Sequence, residues 1–337
     1  MKRPDIAVAV CTYNRAEVLR RALDSLTCQE TDEKFSYEIL VIDDGSTDGT
    51  SGVVKEIARR SQVPVKYVRE EGKGIAPARN RGIKESQGAW IAFFDDDQLA
   101  EPDWLKELLA LASKTGAPCV GGCRLLHLSE QELAGLSPIC RATLGEVFYG
   151  DEPMKCGLNT YTSTGNVMIN SSIFDAVGYF DESLSQGGVD TDFFRRVRLA
   201  GLEAWYTPRA VVHHLIPSYR LKEDNLIWTS LRYGVSFAYR DYKEWGRMKT
   251  IMLCVARIGQ ALLVNLPLLF WAYLLGDDAE VLGRKCLLWV AVGYIRKTLF
   301  LVAPRLFPQG RFFSKLEFRK ERTVFGKDVN PNDNLNP

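Results

Sequence analysis

Residues Ala89-Trp90-Ile91-Ala92-Phe93-Phe94-Asp95-Asp96-Asp97 set a short apolar run directly against three carboxylates. A run of that length, closed by polar residues, reads as a strand buried on both faces. Ile6 to Cys11, Glu38 to Ile42, Val65 to Val68 and Cys119 to Leu125 are runs of the same kind. Helical patterns separate them. Leu19, Ala22, Leu23 and Leu26 share one helix face after Asn14, and Val53, Val54, Ile57 and Ala58 share another after the turn Gly45 to Gly49. Strands alternating with helices predict an α/β fold with a mostly parallel sheet covered on both faces. Ligands of such sheets collect at the C-terminal strand ends. Asp43 and Asp44 close one strand there, and Asp95, Asp96 and Asp97 close another.

Carboxylates crowded at neighbouring strand ends repel one another unless a cation or hydrogen bonds offset the charge. Mg²⁺ and Mn²⁺ take carboxylate and phosphate oxygens together, so Asp95 to Asp97 read as a clamp for a diphosphate and its metal. The plainer reading is a solvated turn before a helix. From about 140 to 220 the pattern is mixed: Thr162 to Asn170 as a strand, Ser172 to Gly178 as a helix, a helix opened by Asp190 and Thr191, then short strands at Ala204 to Tyr206 and Val211 to Leu215.

The 337 residues carry a net charge of +1, which excludes the whole-protein attraction to nucleic acid of a strongly basic domain. Eight cysteines without paired CxxC spacing read as reduced core residues; Cys119 and Cys123 have no nearby His to complete a metal set. The N-terminus lacks the apolar core of a secretory signal, so the α/β part is expected in the cytoplasm. Ile251 to Leu275 is almost wholly apolar apart from Arg257, Gln260 and Asn265, and Cys286 to Ala303 is apolar around Arg296 and Lys297. Beyond them Arg305, Arg311, Lys315, Arg319, Lys320, Arg322 and Lys327 stand against only Glu317 and Glu321. Polar residues in both stretches predict a helical hairpin lying partly in the membrane interface rather than two full spans. Trp271, Tyr273, Trp289 and Tyr294 would sit at headgroup level, with the basic tail on an anionic membrane surface. The competing reading is a helical pair buried in a soluble core.

Several ordered motifs sharpen the picture: Val8-Ala9-Val10-Cys11-Thr12-Tyr13-Asn14-Arg15, Val41-Ile42-Asp43-Asp44-Gly45-Ser46-Thr47-Asp48-Gly49-Thr50, Gly74 to Ile83, Phe93 to Asp97, Gly178-Tyr179-Phe180-Asp181-Glu182 and Asp190-Thr191-Asp192-Phe193. In this order and spacing the chain resembles the family 2 glycosyltransferases of the GT-A fold over about residues 5 to 217. The resemblance implies a Rossmann-like, mostly parallel sheet with a mixed acceptor-side region. Residues 1–220 would form the catalytic domain and 221–337 a helical, membrane-associating extension on the cytoplasmic face. It also implies roles. Thr12 and Asp43 match positions that hold the nucleotide base, with Asp44 beside them, and Arg79 matches a basic residue next to the nucleotide. Asp95 and Asp97 match the DxD motif, whose last Asp binds Mg²⁺ or Mn²⁺. Asn166 matches a stretch near the donor sugar, and Asp190 matches the base that deprotonates the acceptor. A His of the His213-His214 pair approaches the metal or diphosphate in such enzymes, here assigned to His213; on a strand the two must face opposite sides.

The partners implied are a nucleoside-diphosphate sugar, UDP-linked by preference, and a glycan or lipid-linked acceptor. Family members invert the anomeric centre in one displacement. This suits the chemistry, because a sugar hydroxyl is a poor nucleophile that needs a positioned carboxylate. Charge developing on the leaving diphosphate needs a counter-charge. Where the family often has Glu-Asp, this chain has Val189-Asp190, which motivates an alternative: a nucleotide-sugar-binding protein with impaired turnover. A nucleotidyltransferase would need a glycine-rich basic loop after the first strand, where Thr12 to Arg15 stands instead.

Overall fold

The computed structural model describes residues 3–157, 160, 163–184 and 188–307. Its elements begin with β1 (Ile6–Thr12), α1 (Ala16–Leu26), β2 (Tyr37–Asp43), α2 (Thr50–Arg60), β3 (Val65–Arg69), α3 (Ile75–Glu85), β4 (Trp90–Asp95), β5 (Gln98–Ala100), α4 (Trp104–Thr115) and β6 (Cys119–His127). Next come α5 (Glu130–Ala134), α6 (Pro138–Thr143), β7 (Met154–Lys155), β8 (Asn166–Asn170), α7 (Ile173–Val177), α8 (Val189–Leu199) and β9 (Ala204–Leu215). The chain then turns helical with α9 (Glu223–Gln260), a π-helical turn (Ala261–Asn265), α10 (Leu266–Leu275) and α11 (Asp278–Val302). Two compact units result. One takes residues 3–125, 147–184 and 189–215; the other takes 126–146 and 216–307. Residues 126–146, which sequence alone leaves inside the α/β domain, therefore group with the C-terminal helices.

The first unit is built on a sheet ordered β3-β2-β1-β4-β8-β6-β9-β5, with β7 beside β9. β3, β2, β1 and β4 are parallel neighbours, whereas β8 is antiparallel to both β4 and β6, and β5 and β7 are antiparallel to β9. β6 runs in the direction of β4, as a strand–helix–strand crossover favours, but β8 is inserted between them. That insertion divides the sheet into a parallel and an antiparallel half. β9 is one strand where two were expected: Pro208 removes a ladder donor without ending the strand, and the Arg209 N–H is taken by Thr207 Oγ1 at 3.3 Å.

Each parallel strand sends alternate side chains to opposite faces. Val8, Val10, Ile39 and Val41 meet Leu19, Leu23 and Leu26 of α1 and Val53, Val54 and Ile57 of α2 on one side; Ala58 of α2 is exposed, so that helix buries a narrower stripe than its sequence suggests. Ala9, Ile91, Phe93, Val167 and Ile169 meet Ile83 of α3, Ile173 and Phe174 of α7 and Phe193 and Val197 of α8 on the other. With both faces covered, the free edge of functional interest is the row of strand ends.

In the second unit Gly246 adopts φ 74°, ψ −177° and breaks α9 in two. Only glycine reaches that conformation cheaply. Residues 223–245 run alongside α11 in the same direction, shown by Lys285 to Glu223 at 2.7 Å and Tyr294 to Asp241 at 2.9 Å. After Gly246 the chain runs the opposite way, bringing Arg257 onto Tyr294 and Asn265 onto Arg284. The polar residues of the apolar stretch are thereby turned inward: buried Asn265 accepts from Arg284 at 3.3 Å. Outward stand Met248, Met252, Val255, Leu262, Leu263, Leu266, Phe270 and Leu274, all exposed. Among the described residues one helical run, Glu223–Leu275, is long and apolar enough to cross a membrane by length and composition, yet the break at Gly246 leaves 247–275 as its continuous apolar part. Tyr294, expected at headgroup level, is instead fully buried and donates to Asp241, because a phenol in a helix core needs an acceptor. The basic tail beyond residue 307 lies outside the described residues.

Candidate active site

Three adjacent parallel strands end together, with Thr12 of β1 in register with Asp43 of β2 and Cys11 with Asp95 of β4. The loops that follow are tied to one another. The Asn14 N–H donates to Ser46 Oγ at 2.8 Å, and Asn14 Oδ1 accepts from the Thr47 N–H at 2.8 Å. Asp48 accepts from the Ala16 N–H at 3.1 Å and from the Thr50 hydroxyl at 2.5 Å. Asp43 is fully buried; its Oδ1 accepts from the Ser46 N–H at 2.8 Å and its Oδ2 from the Tyr67 hydroxyl at 2.5 Å. Burial and then this bond push the Tyr67 phenol up from its ordinary value. Both oxygens of Asp44 receive the Gly74 N–H, at 3.1 and 3.0 Å. Thr12 Oγ1, buried at the same strand end, has no hydrogen-bond partner among the described residues.

The triple Asp divides its work. Arg15 bonds Asp96 Oδ1 and Asp97 Oδ2, each at 2.8 Å, and these charges push its guanidinium well above its ordinary value. Asp95 stands apart: burial first, then the charge of Asp97, push its carboxyl up, with Arg79 and Arg124 pulling the other way. Gly165 lies so close that a Cβ there would fall 2.3 Å from Asp95 Oδ2. A side chain at 165 would displace that carboxylate.

Asp190, in the first turn of α8, accepts from Arg79 at 2.6 Å on Oδ1 and from the Thr164 hydroxyl at 2.7 Å on Oδ2, with the Thr164 N–H at 3.2 Å. Burial raises its carboxyl, but the Arg79 charge and the Thr164 bonds together outweigh burial and hold it below its ordinary value. Its side chain is 31% exposed while that of Arg79 is 10% exposed, so the carboxylate is the member of the pair that a ligand can reach. Val189 is buried with Phe180 and Phe193 in the core.

Two assignments change. Asn166 does not face a donor: its Oδ1 accepts from Trp104 Nε1 at 2.7 Å and its Nδ2 donates to the Cys123 and Ala210 carbonyls at 2.8 and 3.1 Å, inside the sheet's core. The neighbouring Thr164 and Gly165 touch the site instead. His213 turns to Glu101, with Nε2 2.7 Å from Oε1, and it is His214 whose Nε2 lies 3.7 Å from Asp97 Oδ2. The alternation along β9 beside β5 forces this choice. Sequence reasoning also passed over Arg15, although its place just past β1, next to the strand ending in three Asp, is the signal that finds it. Lys73 is exposed and paired with Glu71.

The donor chemistry fits a hard divalent cation: carboxylate oxygens of Asp95 and Asp97, a nearby imidazole, and an Asp95 destabilised as an anion by its neighbour. Among the described residues, no group of three or more such side chains is already gathered around one point. Arg15 holds Asp97 in the meantime.

A parallel half-sheet ending in carboxylates, continued by an antiparallel half that adds Thr164, Asp190 and His214, defines a GT-A type α/β transferase fold. The profile of glycosyl transferase family 2 matches residues 7–178, just over half of the chain. The chain therefore belongs to glycosyl transferase family 2 and is a glycosyltransferase. It is 30% identical over 230 residues to succinoglycan biosynthesis protein ExoM of Rhizobium meliloti, covering 67% of this chain and 71% of that protein. It is 36% identical over 119 residues to glycosyltransferase AglE of Haloferax volcanii, covering 35% of this chain and only 39% of that one. The mannosyltransferase PcManGT from Pyrobaculum calidifontis, solved with GDP-Man and Mn²⁺, shares the fold at a TM-score of 0.58 and 18% identity, over 87% of this chain and 88% of that one. Asp190 and His214 lie beyond the span the family profile covers.

Proposed function

We propose that the chain transfers a sugar from a nucleoside diphosphate, UDP by preference, to a hydroxyl of a glycan or lipid-linked acceptor, with inversion at the anomeric carbon. The observation that carries this reading is Asp190: a reachable carboxylate, kept ionised by Arg79 and Thr164, with lone pairs left for one more donor. As the acceptor oxygen bonds to the anomeric carbon, Asp190 takes the hydroxyl proton and the bond to the diphosphate oxygen breaks, its electron pair leaving with the diphosphate. Thr12 Oγ1 offers an unused hydroxyl to the nucleotide, and Arg15 and Arg79 draw the diphosphate toward the strand ends. Asp95 and Asp97, with His214, would hold Mg²⁺ or Mn²⁺, which supplies positive charge to the leaving diphosphate.

The complex of PcManGT with GDP-Man and Mn²⁺ supports a donor and metal of this class. The name of ExoM supports an extracellular polysaccharide as the product. The exposed apolar face of 247–275 supports attachment to the cytoplasmic, anionic face of a membrane. Binding without turnover is the weaker reading, because Val189 is a core residue and the carboxylate offered at this helix start is that of Asp190. With Mn²⁺ and a panel of UDP- and GDP-sugars, nucleoside diphosphate should be released, and both excess EDTA and Asp97→Ala should abolish the release. Release of pyrophosphate instead, or full activity in EDTA, would overturn the reading.

A further inference from the structure

The helical unit buries positive charge without matching negative charge. Lys297 is 8% exposed, and its ammonium lies 5.5 Å from the ring centre of Tyr239 and 4.9 Å from that of Phe300. Those rings are its only recorded partners: among the described residues it makes no ion pair and no hydrogen bond. Three residues earlier on α11, so on the same helix face, Tyr294 lies under the Arg257 guanidinium at 4.4 Å, and Arg257 also lies 5.9 Å from Phe237. Neither cation has a carboxylate. The neighbouring acid, Asp241, accepts from Arg240 at 2.9 and 2.8 Å and from the Tyr294 hydroxyl at 2.9 Å, which uses its charge. Cation–π contacts of this kind contribute roughly 0.5–2 kcal/mol, less than desolvating an unpaired charge costs. The arrangement is complete only with an anion. Lys243, Arg247 and Lys249 stand exposed around the reversal at Gly246, on the same end of the helices.

We infer that Lys297 and Arg257, walled by Phe237, Tyr239, Tyr294 and Phe300, form a binding site for the phosphate of an anionic membrane lipid. Lipid rather than soluble phosphate is indicated by what adjoins the site. The helix that carries Arg257 also presents Met248, Met252, Val255, Leu262, Leu266 and Phe270 outward, a stripe recurring every three to four residues until the π-helical turn and suited to acyl chains. The inference rests on the membrane attachment proposed above and adds a headgroup preference to it.

Flotation of the full chain with phosphatidylcholine vesicles, and with phosphatidylcholine mixed with phosphatidylglycerol, tests it. The wild type should prefer the anionic vesicles, and Lys297→Met or Arg257→Gln should each lower that affinity by roughly fivefold, the weight of one basic residue at an anionic surface. Lys297→Arg should keep it. Binding to neutral vesicles and the thermal transition should be unchanged or, for Lys297→Met, slightly raised, which separates loss of the site from loss of the fold. Equal wild-type affinity for both vesicles overturns the phosphate site alone. No binding to either vesicle overturns the membrane reading and the site with it. Full displacement by millimolar inorganic phosphate would mark a site for free phosphate and overturn the lipid.

Discussion

The strand ends of the α/β unit and the core of the helical unit both hold buried charge, and they stabilise it by opposite means. At the strand ends every ionised group has a counter-charge of the chain's own: Arg15 for Asp96 and Asp97, Arg79 for Asp190. These pairs are internal stand-ins that a diphosphate and a cation can replace at little net electrostatic cost. Arg257 and Lys297 in the helical unit have only aromatic faces and so remain in deficit until an anion arrives. The difference separates a site poised for exchange of ligands from a surface poised for standing attachment.

The largest effect expected at the strand ends is catalytic. Asp190→Asn keeps the bonds to Arg79 and Thr164 within reach but cannot take a proton, so turnover should fall by roughly 10²–10⁴ with donor affinity little changed. Initial rates and nucleotide titrations on the same preparation would check this; a wild-type rate would pass the role to Asp192, which is paired with Arg196.

A smaller effect tests whether the strand ends store unfavourable charge. Asp95→Asn should raise the stability of the donor-free protein by about 1 kcal/mol while abolishing turnover, a trade common at active sites. The sign with pH follows from the direction of the shift. Because burial and Asp97 raise the Asp95 carboxyl in the fold, its contribution is full below the ordinary carboxylate value and lost as pH rises through the raised one. The gain from Asp95→Asn should therefore grow between acid and neutral pH in urea titrations. Asp190 runs the other way: its stabilisation is present above the ordinary value and lost as pH falls through the lowered one. A gain independent of pH would show that Asp95 is not strained by its charge.

The smallest effect is in the helical unit, where Lys297→Met should raise the thermal transition by the equivalent of roughly 0.5–1 kcal/mol, since the long side chain already relieves part of its cost by reaching outward. A fall in stability would mean that the aromatic contacts outweigh burial, and the contrast between the two units would lose its basis.

Much of this protein is legible in one dimension. Strands β1 to β4, their covering helices and the carboxylates at their ends follow from apolar runs and helical spacing, because a parallel strand buried on both faces leaves a continuous apolar signature. The ordered motifs also point to the family without help from coordinates. What sequence leaves open is everything settled by adjacency between distant segments. The insertion of β8 between β4 and β6 brings Thr164 and Gly165 to Asp95 and Asp190 and turns Asn166 into the core toward Trp104. The alternation of β9 against β5 decides that His214 rather than His213 approaches Asp97. Gly246 alone reverses a helix whose composition reads as continuous, and only the resulting fold turns Asn265 and Arg257 inward and the apolar stripe outward. Local propensity and periodicity report what each segment buries; which partner it meets depends on long-range pairing, and that is decided by the free energy of the whole packed structure.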